Sequence, residues 1–177
     1  MITGPRLTLR KLTPEDANER YLAWLNDPEL QRFTRRRNKT TTMGELKRFL
    51  EDTQGSGDVF LAIIINESHL HIGNTFFNHV NLENHNADLS IMIGDTSSHG
   101  KGYAQEAIQL ACKHAFESMG LHRLYAASPN VAFNRVVKKL GWTKEGIRRE
   151  DFFSDGKYLD MECWSILRSE WAGLGTE

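Results

Sequence analysis

From Ala87 to Met119 the chain reads ADLSIMIG, DTSSHGKGYA and QEAIQLACKHAFESM without a break. This is the pattern of a strand, a small-residue loop around Gly100-Lys101-Gly102, and a helix that starts as soon as the glycines end. A helix N-terminus leaves its first N–H groups without intrahelical partners and carries the positive end of the dipole. A glycine loop in front of it therefore gathers donors on one point. The expected occupant is anionic, most simply a phosphate or pyrophosphate. Any fold for this chain has to deliver that strand, loop and helix as one unit.

The helix has the cleanest periodicity in the sequence. Ala104, Ala107, Ile108, Ala111, Cys112, Ala115, Phe116 and Met119 make one apolar face, and Gly120 is the expected stop. Upstream, Leu7–Arg10 alternates as a first strand. Thr13-Pro14-Glu15-Asp16 marks a helix start, Ala17, Tyr21, Trp24 and Leu25 follow at helical spacing, and Asn26-Asp27-Pro28 stops them, with a short restart at Pro28. Residues 34–41 are polar and irregular. Thr42-Met43-Gly44-Glu45 has capping-box spacing for a second helix carrying Leu46, Phe49 and Leu50. Gln54 to Asp58 reads as a flexible connection.

Val59–Ile65 is a continuous apolar run, as in a strand covered on both faces. His71–Asn81 is another strand, in which Gly73 marks a bulge or close approach. Beyond the long helix, Leu124–Ala127 is a strand. Asn130 caps a helix that buries Val136, Val137 and Leu140 and ends at Gly141. Two last strands, near Trp142–Phe153 and Tyr158–Leu167, meet across Ser154-Asp155-Gly156-Lys157 as a hairpin. The order β-α-α-β-β-β-α-β-α-β-β predicts a mixed sheet with helices on both faces, in one domain spanning residues 1–177.

A net charge of -1 over 177 residues steers the chain toward neither nucleic acid nor an anionic membrane. No apolar run could span a bilayer, MITGPRLTLR lacks an apolar leader core, and Cys112 and Cys163 read as small core residues, so a cytoplasmic setting is expected. His69, His71, His79 and His85 have no cysteine or carboxylate partners at metal-ligand spacing and are expected to face solvent. Arg35-Arg36-Arg37 is the one dense basic run, and a solvated loop accounts for it.

Which anion the glycines hold depends on the neighbours. In a Walker-A reading, Gly94 lies one residue too far from Gly100, and Gly102 stands where the hydroxyl residue belongs. A dinucleotide fingerprint would need a third glycine at Gln105 and a place after the first strand. A third pattern fits more of the chain. Gly100-Lys101-Gly102-Tyr103-Ala104 with Glu106-Ala107 behind it, then Asn130-Val131-Ala132-Phe133-Asn134-Arg135-Val136 running into Lys139-Leu140-Gly141-Trp142, resembles the GNAT acetyltransferases. Leu7–Arg10, Trp24–Pro28, Glu145-Gly146 with Arg149, and Asp155–Tyr158 resemble the RimJ/RimL-like branch.

The resemblance implies the GNAT fold, a mixed, mostly antiparallel sheet with helices on both faces, and acetyl-CoA as co-substrate. It places the pantetheine along Ile91, Met92 and Ile93 and the pyrophosphate in the loop of Ser98, His99, Gly100, Lys101, Gly102, Tyr103 and Ala104. Asn130, Asn134 and Arg135 then fall on the thioester side. Asp88 falls where the branch carries an acid that serves as general base; an ordinary strand-end aspartate is the other reading. Ser97 stands where the family has Gln or Arg, Phe133 where a small residue is usual, and Val137 where the family's acidic tyrosine stands.

The implied activity is acetyl transfer to a primary amine by a monomer or homodimer: a protein N-terminus, a nucleotide-linked amino sugar or another small amine. An acyl-CoA-binding module with little catalysis is the alternative. Trp24, Phe33, Phe76, Phe152 and Phe153 could line an acceptor pocket or belong to the core, and Arg35-Arg36-Arg37 would suit an acceptor bearing phosphate or carboxylate.

Overall fold

The structure, a computed structural model, describes residues 1–55 and 57–171. Eight strands form one sheet: β1 (Ile2–Thr3), β2 (Leu7–Lys11), β3 (Val59–Ile65), β4 (His71–Asn81), β5 (Asn86–Ile93), β6 (Arg123–Ser128), β7 (Thr143–Ser154) and β8 (Lys157–Leu167). Their spatial order is β1-β2-β3-β4-β5-β6-β8-β7. Every neighbouring pair is antiparallel except β5 and β6. The helices are α1 (Glu19–Asn26), α2 (Pro28–Gln31), α3 (Met43–Asp52), α4 (Tyr103–Lys113, continued by a π turn to Ser118), α5 (Val131–Lys139) and α6 (Arg168–Trp171). The long helix, both strand runs, the restart at Pro28 and the final hairpin stand where the sequence puts them.

Two hydrophobic layers sandwich the sheet. On one face Ala107, Ile108, Ala111 and Phe116 of α4 and Val137 of α5 pack with Leu7, Leu9, Ile63, Phe77, Leu89 and Leu124. On the other, Tyr21, Trp24 and Leu25 of α1 and Leu46 and Leu50 of α3 close over Leu12 and Ala62, with Phe76 and Met92 at the margin. Alternation along β5 sends Ala87, Leu89, Ile91 and Ile93 toward α4 and Asp88, Ser90 and Met92 toward α1. Gly73 permits the tight β4–β5 approach: a Cβ there would lie 2.1 Å from the Met92 carbonyl oxygen. The β3–β4 register slips beside it, at Ile63/Ile64.

Some expectations change. The Thr13 start yields only a 3-10 turn, Pro14–Asp16, and α1 begins at Glu19 with Asn18 accepting from the Tyr21 N–H at 3.0 Å. Asp16 is the reason. Its carboxylate turns back to take the Thr13 N–H at 2.9 Å and both terminal nitrogens of Arg10 at 2.6 and 2.8 Å, anchoring the turn to β2. His71 does not face solvent. Its ring packs edge-on to Trp24 at 5.1 Å and Tyr21 at 5.9 Å, and Nε2 lies 2.8 Å from Asn74 Oδ1. Burial holds its pKa below the usual histidine value. Cys112 is core as expected, whereas Cys163 is only partly buried. In the Gln54–Asp58 connection, Thr53–Gly55 is a 3-10 turn and Ser56 lies outside the described residues, as do residues 172–177 of the expected domain.

Candidate active site

β5 and β6 share three rungs, Asn86 with Arg123, Ala87 with Leu124 and Asp88 with Tyr125, and then part. β5 follows β4 as far as Ile93, while β6 follows β8 as far as Ser128. The result is a wedge-shaped gap with Asp88 and Tyr125 at its apex, open toward the loop that leads into α4. Along Leu89–Ile93 the β6-side edge has no ladder partner among the described residues. An unpaired strand edge is a template for an extended ligand carrying amides.

The glycine loop stands at the open end. Gly100 and Gly102 have φ of 73° and 79°, left-handed values that cost other L-residues about 1–2 kcal/mol. Gly102 is the N-cap of α4 and supplies no side-chain acceptor, so the first-turn N–H groups remain available to an anion. The loop is held from behind by a contact the sequence does not announce. Glu106, buried in the first turn of α4, accepts the Arg6 and Leu7 N–H groups at 2.8 and 3.0 Å and the Arg6 Nε at 2.7 Å. Arg6 in turn donates to the Lys101 carbonyl at 2.8 Å and lies 4.9 Å from the Tyr103 ring centre.

The remaining sequence candidates divide by task. His99 Nε2 lies 2.8 Å from the Ile93 carbonyl oxygen, pinning the loop to the end of β5. Ser98 is buried and donates to Asp95 at 2.6 Å, and Ser97 donates to the same carboxylate at 2.9 Å. Burial pushes the Asp95 carboxyl up, but those hydroxyls and Arg20, 3.3 Å away, outweigh it, so it sits below the usual range. Lys101 is exposed and carries no ion pair among the described residues. Ala104 lies half-buried in the first turn of α4. Ile91 and Ile93 pack on the α4 side, while the Met92 sulfur receives the Gln31 amide at 3.4 Å.

On α5, Asn130 spends its side-chain oxygen capping the Ala132 N–H at 2.9 Å, and Arg135 is exposed. Asn134 is different. Its Nδ2 donates to the Ser128 carbonyl at 3.3 Å, and its buried Oδ1 has no hydrogen-bond partner among the described residues. A buried acceptor left open costs about 1–3 kcal/mol, which an N–H from a bound ligand would recover. An open strand edge, an orphaned acceptor beside it and uncapped donors at the far end form a track suited to an amide-bearing chain ending in phosphates. The residues present therefore fit acetyl-CoA, whose pantetheine has amides and whose other end has a pyrophosphate.

Asp88 lies half-buried at the apex. Burial pushes its carboxyl above the ordinary aspartate value; His79, Arg35 and Arg148 pull against that rise and Asp58 adds to it. Tyr125 shares its rung and its face. Burial, then the Asp88 charge, raises its phenol. Sequence reasoning does not single out Tyr125, because nothing in LYAAS marks it; only the rung does. Val137 is fully buried under α5, so no hydroxyl reaches the gap from there. Trp24 and Phe76 belong to the core, and Phe152 is buried beneath Arg37, whose guanidinium carbon is 4.0 Å from the ring centre. Phe153 is half-exposed against Tyr158. Among the described residues no cluster of His, Cys, Asp and Glu could hold a metal, and no helix is long and apolar enough to cross a membrane.

Comparison with known proteins places this geometry. A family profile described as an acetyltransferase (GNAT) domain matches residues 6–143. An uncharacterized N-acetyltransferase of Bacillus licheniformis, p20, is 30% identical over 177 residues, covering 95% of this chain and 96% of its own. A spermidine N(1)-acetyltransferase of Vibrio cholerae is 30% identical over 94 residues, 52% of this chain and 54% of its own. Among solved structures, spermidine N-acetyltransferase from Vibrio cholerae in complex with CoA and spermine superposes with a TM-score of 0.87 at 22% identity, over 96% of this chain and 99% of that one. The track along β5 and the loop before α4 thus sit in a chain that belongs to the GNAT acetyltransferase family, an acyltransferase with acetyl-CoA as its co-substrate.

Proposed function

We propose that this chain acetylates the nitrogen of a primary amine by direct transfer, with Asp88 as general base. The observation that carries the reading is the place of Asp88, a carboxyl raised by burial, at the apex where β5 and β6 part. An alkylammonium must lose a proton before it can attack. A carboxylate whose pKa is raised is a better acceptor for that proton than an exposed one, and a positioned base is typically worth about 10²–10⁴-fold. In the balanced step the ammonium gives one proton to Asp88 and the freed nitrogen pair forms the new bond to the thioester carbonyl carbon. The carbon–sulfur bond then breaks, the nitrogen releases its second proton to solvent to leave the neutral amide, and the leaving sulfur takes a proton from solvent. Acetyl-CoA supplies the activated acyl group. This chain's own residues anchor it: Asn134 Oδ1 and the free edge of Leu89–Ile93 along its length, Gly100 to Ala104 at its anionic end.

CoA release measured against a wide panel of amines tests this. Release above the water background with at least one amine is expected; none across the panel would overturn the reading. The buried Val137 at the tyrosine position favours the second reading, an acyl-CoA-binding module with little turnover, and that same null result would select it, provided acetyl-CoA still raises the melting temperature.

A further inference from the structure

The segment between α2 and α3 bridges the sheet on the face that carries Asp88. At one end Gln31 reaches Met92 of β5. At the other, Arg32 pairs with Asp155 at 2.8 Å, Arg37 donates to the Phe153 carbonyl at 2.7 Å, and Ser154 donates to the Arg32 carbonyl at 3.3 Å. The bridge is thus tied to β5 at Met92 and to the tip of the β7–β8 hairpin, and it brings the Arg35 charge within range of Asp88. Its arginines are not equivalent. Arg32 and Arg37 hold the hairpin, and Arg36 bonds the Thr41 hydroxyl. Arg35 alone of the run is exposed with no hydrogen bond or ion pair among the described residues, and its charge faces Asp88.

The other groups facing Asp88 are Tyr125 from β6, His79 from β4, Arg148 from β7, and Asp58. Arg148 is half-exposed and leans on Asp151 at 3.0 Å. Of the carboxylates on the hairpin, Asp151, Asp155, Glu145 and Glu162 are paired with Arg148, Arg32, Arg123 and Lys144, and Asp160 accepts the Glu150 N–H at 2.9 Å. The exposed Glu150 carboxylate alone has neither an ion pair nor a hydrogen bond among the described residues. A substrate bearing a second ammonium would meet arginines there, whereas one bearing an anion would find a guanidinium with its donors free.

Building on the amine reading above, we propose that Arg35, seconded by Arg148, clamps an anionic group of the acceptor, so that the preferred substrate is a primary amine carrying a carboxylate or phosphate on a short arm. The amine is drawn to Asp88 and the anion to the bridge, so the two charges orient the nitrogen at the mouth of the gap. The polyamines named for the Vibrio cholerae neighbour carry the opposite second charge and are disfavoured here.

Matched amines that differ in the anion test this: ethanolamine against O-phosphoethanolamine, propylamine against β-alanine, with spermidine as the cationic arm. Steady-state rates with the intact chain should favour each anionic member by at least tenfold in kcat/KM. Arg35→Gln should reduce that preference about tenfold, through KM more than kcat, and Arg35→Lys should restore part of it. Thermal shift with CoA and O-phosphoethanolamine gives a second readout: the added stabilisation by the phosphoamine should shrink in Arg35→Gln. Equal or better use of the neutral amines or spermidine, or a preference unmoved in Arg35→Gln, would overturn the clamp and leave amine acetylation standing. A panel in which no amine releases CoA would overturn both.

Discussion

Asp88 and Tyr125 occupy the last rung that β5 and β6 share, and both side chains point to the face covered by α1 and the arginine bridge. Partial burial raises both groups, and the negative charge of Asp88 adds to the rise at Tyr125, against Arg123, whose guanidinium carbon lies 5.9 Å from the ring centre. Arg123 is itself committed to Glu145 through two bonds of 2.6 Å. At the apex the ionised carboxylate of Asp88 is therefore less favoured than it is in water.

Asp88→Asn should lower kcat about 10²–10⁴-fold without loss of stability. The folded-state pKa of Asp88 is raised, so its contribution to stability is fully present below the unfolded value and is lost as pH rises through the folded one. Near neutral pH the native carboxylate is a liability, and the amide should melt at the same temperature or higher. CoA release and melting curves on the same samples check both. A matched fall in activity and melting temperature would mark Asp88 as structural.

The same variant should move Tyr125. With the Asp88 charge gone, its phenol should titrate at lower pH than in the unaltered chain, while staying above the free tyrosine value because burial, the larger cause, remains. Ring-carbon NMR of labelled tyrosine across alkaline pH reads this directly. Tyr21, also raised by burial but in the α1 core, should not follow.

Glu106→Ala removes the acceptor for two backbone N–H groups and the Arg6 guanidinium. Leaving those donors unmet should cost about 2–4 kcal/mol by denaturant unfolding. Arg6 would then no longer hold the Lys101 carbonyl, so the KM for acetyl-CoA should rise more than kcat falls. An unchanged KM would separate the β2 anchor from the cofactor loop.

Asp16→Ala should destabilise by about 3 kcal/mol, because it strands Arg10 and the Thr13 N–H. Burial opposes ionisation of Asp16, but Arg10 and the Thr13 N–H prevail and hold its carboxyl below the ordinary value. That stability is present above the unfolded pKa and is lost as pH falls through the folded one. The variant should therefore show a shallower loss of stability between pH 5 and the acid transition, measured by urea melts across that range.

Much of this was legible in the chain because it is local. The continuous apolar run Val59–Ile65, the apolar face of α4, the Thr42 capping box and the Asp155-Gly156 turn, with φ of 52° and 75°, are properties of neighbours in sequence. His71 and Asp16 were misread for one reason. Both are polar residues that take a decisive partner from another element, the rings of α1 for His71 and Arg10 of β2 for Asp16, and a window of neighbours does not show it. Ser97 shows the limit from the other side. Its missing charge is plain in the sequence, but its commitment to Asp95, and a Lys101 with no ion pair among the described residues, appear only once the loop is folded.

By itself, then, the sequence determined the unit of strand, glycine loop and helix, and the order of the main elements around it. Periodicity and the left-handed preference of glycine act over a few residues. Only the tertiary structure decided that β5 and β6 part after the Asp88–Tyr125 rung, that Glu106 and Arg6 brace the loop, and that Arg35, alone of its run, has no hydrogen bond or ion pair among the described residues. Those facts depend on which distant groups compete for the same partners, a contest settled by packing the two faces of one sheet.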